Sequence, residues 1–122
     1  FTRSRIEDVE LRPTDLVVSV HACGGLTDAV IDRAVHAGAR LAVLPCCHDT
    51  KSGNLGGLDG WIDGPLAIDV TRATRLKANS YNVITRTIPI EITPKNRLLL
   101  AEPLNIFQAL DVALPPAFLL FR

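Results

Sequence analysis

Two short apolar runs, Leu16-Val17-Val18-Ser19-Val20 and Leu41-Ala42-Val43-Leu44, flank a stretch with helical spacing. Apolar runs of this length, bounded by turn residues, read as buried strands. Strand, helix of about a dozen residues and strand make a βαβ unit with parallel strands. No other feature of the chain restricts its fold as strongly, and it places the chain in the α/β class. The carboxyl ends of parallel strands share one sheet edge, and neighbouring strands lie roughly 4.8 Å apart. His21 and Cys23 follow the first run, and Cys46, Cys47 and His48 follow the second. Pairing of the runs therefore gathers all three cysteines and two of the three histidines in one crevice. Open α/β sheets bind ligands at that edge.

The first run is apolar on both faces apart from Ser19, which predicts a buried, central strand. Gly24-Gly25 ends it. Thr27 reads as the N-cap of the helix, with Asp28 in its first turn and Gly38 as its left-handed C-cap. Val30, Ile31, Ala34 and Val35 form its apolar stripe, and His36 falls off that stripe near the helix end. Pro45 ends the second strand. Asp49 to Gly64 holds five glycines and reads as a long loop, a feature that is often functional in a compact domain. Trp61, the only tryptophan, is a candidate lid or substrate platform, against the commoner fate of packing beneath the loop.

Asp63 and Pro65 mark the start of a second helix that runs to about Asn79. Leu66, Val70, Ala73 and Leu76 are its expected stripe, and Arg72, Arg75 and Lys77 a solvated basic face. Tyr81 to Thr93 alternates as a half-exposed strand, and Pro89 puts that strand at a sheet edge. Thr93 to Arg97 is a turn and Leu98 to Ala101 a fourth strand. So short a connection requires an antiparallel pair. The turn then brings Lys95, Asn96 and Arg97 to the same crevice. Asn105 to Arg122 is apolar, split by Pro115-Pro116, and reads as a short helix and a tail that needs cover from this chain or a partner. The chain divides into 1–104, an α/β unit, and 105–122, the tail.

Thirteen basic residues balance thirteen acidic ones, so no global charge draws the chain to nucleic acid or membrane. Three cysteines, two of them adjacent, argue against a disulfide framework and for a reducing, cytoplasmic compartment. No apolar run approaches the roughly 20 residues that span a bilayer. A chain that begins at Phe1 and contains no methionine is expected to be a fragment or a processed product.

The residues of the crevice support three chemistries. His21, Cys23, Cys46, Cys47 and His48 are zinc-ligand types, although their spacing is not that of a zinc ribbon or finger. Cys46 or Cys47 could act as a nucleophile activated by His21 or His48, but no Asp or Asn partner for either histidine is evident. The thiols could also simply pack, because cysteine is among the most buried residue types.

Residues 6 to 103 resemble the C-terminal half of a class I S-adenosylmethionine-dependent methyltransferase. The resemblance rests on His21-Ala22-Cys23-Gly24-Gly25-Leu26-Thr27-Asp28, on Pro45-Cys46-Cys47-His48, and on the hairpin Thr93-Pro94-Lys95-Asn96-Arg97-Leu98. Similar motif pairs occur in the eukaryotic tRNA acceptor-stem ribose methyltransferases and in bacterial methyltransferases. The resemblance implies a partial Rossmann-like sheet, β-α-β-α-β-β, of order 4-5-7-6 in that family's strand numbering, with the last strand antiparallel. It implies S-adenosylmethionine as cofactor, with Asp8, His21, Ala22 and Gly24 at the donor. Asp8 by itself reads as an ordinary turn residue. The resemblance further implies His21, Cys23, Cys46 and His48 as catalytic or acceptor-shaping groups. Cys47, Trp61, Lys95, Asn96 and Arg97 would meet the acceptor, for which RNA is one class. No Gly-x-Gly turn precedes Leu16, so by this resemblance the donor-binding N-terminal half is expected to be absent from the chain, which is then a fragment or is completed by another chain. A partner is expected to pair at strand 16–20, as a second copy or as that missing half. The rival readings are a zinc-bearing α/β module and a non-catalytic interaction or dimerisation domain.

Overall fold

Leu16–Val20 forms β1 and Arg40–Leu44 forms β2, and the two run parallel with Leu16 opposite Arg40 and Val20 opposite Leu44. They belong to a computed structural model that describes residues 3–105. The remaining elements are a 3-10 turn at Ile6–Asp8, helix α1 at Gly25–Ala37, helix α2 at Gly64–Ala78, and strands β3 at Tyr81–Thr87 and β4 at Arg97–Pro103. The sheet order is β1-β2-β4-β3. β4 is inserted antiparallel between β2 and β3. β3 is therefore parallel to β1 and β2 and lies at an edge, where its run into Pro89 needs no ladder partner. This is the expected partial Rossmann-like topology. The expected helix and tail beyond Asn105 lie outside the described residues.

The register sorts the strands into two faces, since side chains alternate. Val17, Leu41, Val43, Leu99, Ala101, Tyr81 and Val83 share one face. Both helices cover it: Val30, Ile31 and Ala34 of α1 and Leu76 of α2 join these residues in the core. Tyr81 closes the core at the far end of α1. Its hydroxyl donates to the carbonyl of Ala39 at 3.0 Å, with that of Ala34 at 3.2 Å. Gly38 caps α1 in the left-handed conformation, as expected.

Three expectations are corrected. β1 is not a covered central strand. It ends the sheet, and Leu16, Val18 and Val20, on the face opposite the helices, are 56%, 63% and 58% exposed. An all-apolar strand predicts burial on both faces, but burial needs a neighbouring layer, and among the described residues none lies there. Thr27 is not the N-cap of α1; Gly24 is, and Thr27 lies one turn in, wholly buried, its hydroxyl donating to the Ala22 carbonyl at 2.7 Å. In α2 the buried positions are Ala67, Ile68, Arg72 and Leu76, whereas Val70 is exposed and Leu66 half-buried.

The buried face of α2 is rotated because the long loop packs against its flank. A Cβ at Gly56, where φ is +62°, would lie 2.4 Å from the Thr71 hydroxyl, and one at Gly53 would lie 2.7 Å from the Ile68 side chain. Those two glycines let the loop backbone approach the helix. Asp63 caps α2 by accepting from the Leu66 amide, and Pro65 sits in its first turn, both as read from the sequence. Among the described residues no helix is long and apolar enough to cross a membrane.

Candidate functional site

β1, β2 and β3 end on one edge of the sheet and β4 begins there, so the segments 21–24, 45–48 and 88–97 converge. Backbone hydrogen bonds tie the first two together. The His21 amide donates to the Leu44 carbonyl at 3.1 Å, and the Gly24 amide to the Cys47 carbonyl at 2.8 Å. His21 holds φ +61°, a left-handed conformation that costs an L-residue roughly 1–2 kcal/mol. Such strain persists where surrounding structure enforces it and clusters at functional sites. The side chain of His21 remains exposed, while Ala22 beside it is buried and offers only its backbone.

The three thiols meet. Cys23 Sγ lies 3.3 Å from Cys46 Sγ, Cys46 Sγ lies 3.6 Å from Cys47 Sγ, and all three fall within 4.8 Å of one another. All three cysteines are free. Cys46 is buried and Cys23 and Cys47 are exposed. The hydrogen-bonding contact with Cys23 lowers the Cys46 thiol from its ordinary value, and Cys47 and His21 add to that against the opposing effect of burial. The same bond to Cys46, together with Cys47, pushes Cys23 up to about 12.

His48 does not join the thiols. Its imidazole is almost wholly enclosed, and Nε2 meets Asp69 Oδ1 at 2.8 Å. Asp69 also accepts from Arg72 at 3.2 Å and from Arg97 Nε at 2.8 Å. Arg72, 3% exposed, bonds Asp28 through two nitrogens at 3.0 and 2.7 Å and donates to the Gly24 carbonyl at 3.1 Å. Burial opposes the charge on Arg72, but the hydrogen bonds and charges of Asp28 and Asp69 outweigh it and raise its pKa. One charged network thus joins the turn after β1, the first turn of α1, α2, the turn after β2 and the start of β4.

This network corrects the solvated reading of Arg72. It also supplies an acidic partner for His48 that is not evident from the sequence. Asp69 had one sequence signal: a lone acid between Ile68 and Val70, three residues before Arg72, which is the spacing of facing helical side chains.

The other expected residues are placed as follows. Trp61 is 88% exposed and so does not pack beneath its loop. Asn96 closes the β3–β4 connection by donating to the Ile88 carbonyl at 2.9 Å. Lys95 is exposed. Arg97 is half-exposed and partly neutralised by Asp69. Asp8 is exposed in the 3-10 turn, which packs on α1. A groove of about 580 Å³ runs between α2 and the β3–β4 pair, from Pro45 past Val70, Ala73 and Leu99. Lys77, Arg86 and Arg97 line it, with Asp69 the only carboxylate among the described lining residues.

A family model described as a methyltransferase domain matches residues 2–52. The match spans β1, α1, β2 and both turns that carry the thiols, and it supports a methyltransferase. No curated protein and no solved structure matches the chain significantly.

Proposed function

We propose that this chain is the acceptor-side portion of an S-adenosylmethionine-dependent methyltransferase, with RNA as its acceptor. One observation carries the reading. The turn His21–Gly24 is held against the turn after β2 at the carboxyl edge of a β1-β2-β4-β3 sheet, within the stretch that the methyltransferase family model matches.

The residues present fit one side of a donor. A Cβ built at Gly24 or Gly25 would meet nothing within 4 Å, so the turn offers open backbone surface to a ligand. Gly24, the exposed His21 ring and the Ala22 backbone are the groups that would hold it. Asp8 is exposed and free to contribute an acceptor for an amine. The donor, when bound, supplies a sulfonium methyl group open to in-line displacement.

Positioning is the work of this chain. The Arg72 bridge from Gly24 to Asp28 and Asp69 holds the turn on the helices, and in this reading His21, strained and exposed in that turn, takes a proton from an acceptor hydroxyl. The groove supports RNA as the acceptor, since Lys77, Arg86 and Arg97 ring an apolar floor that starts at Pro45, next to the thiols. Phosphates would meet these cations, and such contacts weaken with salt.

Titration calorimetry with S-adenosylhomocysteine tests the donor site. Saturable binding is expected, and Gly24→Val should abolish it, because a branched residue is strained at φ +54° and would cover the turn. A folded chain that takes up no ligand would overturn the donor site. Binding of a small structured RNA is expected to fall with rising salt and with Arg86→Ala; binding indifferent to both would remove RNA from the reading.

A further inference from the structure

The three thiols are not needed for methyl transfer as derived above, yet the fold brings them together from two strand ends. We propose that Cys23, Cys46 and Cys47 form a three-thiolate site for a zinc ion at the carboxyl edge of β1 and β2. Thiolates are the ligands that zinc prefers in sites of this kind. A tetrahedral ion with Zn–S bonds of about 2.3 Å needs sulfurs roughly 3.8 Å apart. The sulfurs here are separated by 3.3 and 3.6 Å, with all three within 4.8 Å, so a shift of a few tenths of an ångström to about one ångström would complete a trigonal face.

The scaffold for that face exists without the ion. The Gly24 amide bonded to the Cys47 carbonyl, and the His21 amide bonded to the Leu44 carbonyl, clamp the two ligand-bearing turns together. Ligands held by backbone bonds from two strands are preorganised, which reduces the ordering cost of binding. Cys46 is buried and Cys23 and Cys47 reach the surface, so an ion can enter from solvent and keeps its fourth position on that side. A disulfide fits less well, because the closest sulfurs would have to approach from 3.3 Å to about 2.05 Å and would still leave a third thiol in contact. Binding replaces the proton of each protonated thiol with the cation, those protons leave to solvent, and no electron is transferred.

Cobalt reports the site directly. The reduced chain, freed of metal, is titrated with Co2+ and then with Zn2+. One cobalt per chain is expected, with visible bands of a tetrahedral ion and a near-ultraviolet sulfur-to-cobalt band of three-thiolate intensity, all displaced by zinc. Cys23→Ser and Cys47→Ser should each lower that band by about one third and weaken binding at least tenfold, the lower end of what even outer-shell changes cost. His36→Ala, at the exposed end of α1, should change neither. The wild-type band intensity counts thiolates on its own, so the result holds even where a serine variant fails to fold. A folded, reduced wild-type chain without the sulfur band would overturn the site. So would a band that survives both serine substitutions, or a native Cys23–Cys46 disulfide after purification without reductant. None of these readouts depends on donor or acceptor binding.

Discussion

His48 Nε2 lies 2.8 Å from Asp69 Oδ1, and the two side chains are 5% and 14% exposed. The pair links the turn after β2 to the middle of α2. It turns a histidine that chain order sets beside two cysteines toward a carboxylate 21 residues away. Asp69 serves Arg72 and Arg97 as well, which makes it the acidic centre of the crevice.

Replacement of that centre should be costly. Asp69→Ala leaves His48 without this carboxylate, and Arg72, which is buried, with Asp28 as its remaining ion-pair partner beside the Gly24 carbonyl. The expected destabilisation is about 2–4 kcal/mol, the range for removing one member of a shielded charged network. Urea unfolding followed by circular dichroism measures it. A loss below about 0.5 kcal/mol, typical of a surface substitution, would contradict the network.

Thr27 carries the turn before it. Thr27→Val keeps the volume and deletes the hydroxyl that donates to Ala22, leaving a buried carbonyl unpaired. A stability loss of about 1–3 kcal/mol is expected. Because the same bond holds the segment 21–24 in place, affinity for S-adenosylhomocysteine should fall alongside stability, whereas Thr27→Ser should retain both.

Tyr81 sets an alkaline limit. Burial pushes its hydroxyl above the ordinary value near 10. In the unfolded chain the phenol loses its proton near that ordinary value, while the folded chain keeps it. Above about pH 10 the folded state therefore binds more protons than the unfolded state, and stability falls as pH rises until the folded pKa is passed. Below that window the contribution is complete and independent of pH. The urea midpoint should drop between pH 9 and pH 11, and Tyr81→Phe should remove the part of the drop due to this group, at a cost of about 1 kcal/mol at neutral pH for the lost hydrogen bond. Equal slopes for wild type and variant would rule Tyr81 out.

β1 should drive association. Among the described residues its outer edge is unpaired, and Leu16, Val18 and Val20 are exposed beside it. Exposed apolar edge strands pair with one another. Sedimentation of the chain is expected to show a mass that rises with concentration, and Val18→Lys should return it to a monomer with stability changed by no more than about 0.5 kcal/mol. A monomer at every concentration would dismiss pairing through this strand.

Local signals carried much of the fold. The ends of α2 were legible because Asp63 and Pro65 act within one turn of themselves, and the end of α1 because Gly38 can take a positive φ. The runs at 16–20 and 41–44 declared a parallel pair through length and composition, and Pro89 declared an edge. The convergence of Cys23 with Cys46 and Cys47 followed from that pairing alone. Other features depend on partners distant in the chain. Arg72 looks like any helical arginine until Asp28, 44 residues earlier, is packed against it. His48 could face the thiols or α2, and the choice fell to α2 because a half-buried carboxylate, Asp69, waits there. Whether Leu16, Val18 and Val20 are covered cannot be written in β1, since a strand's pattern states what it can bury and only a second layer buries it. Periodicity, capping and turn chemistry act over a few residues and are present in the sequence itself; charge pairing and burial act between elements, and only the tertiary structure decides them.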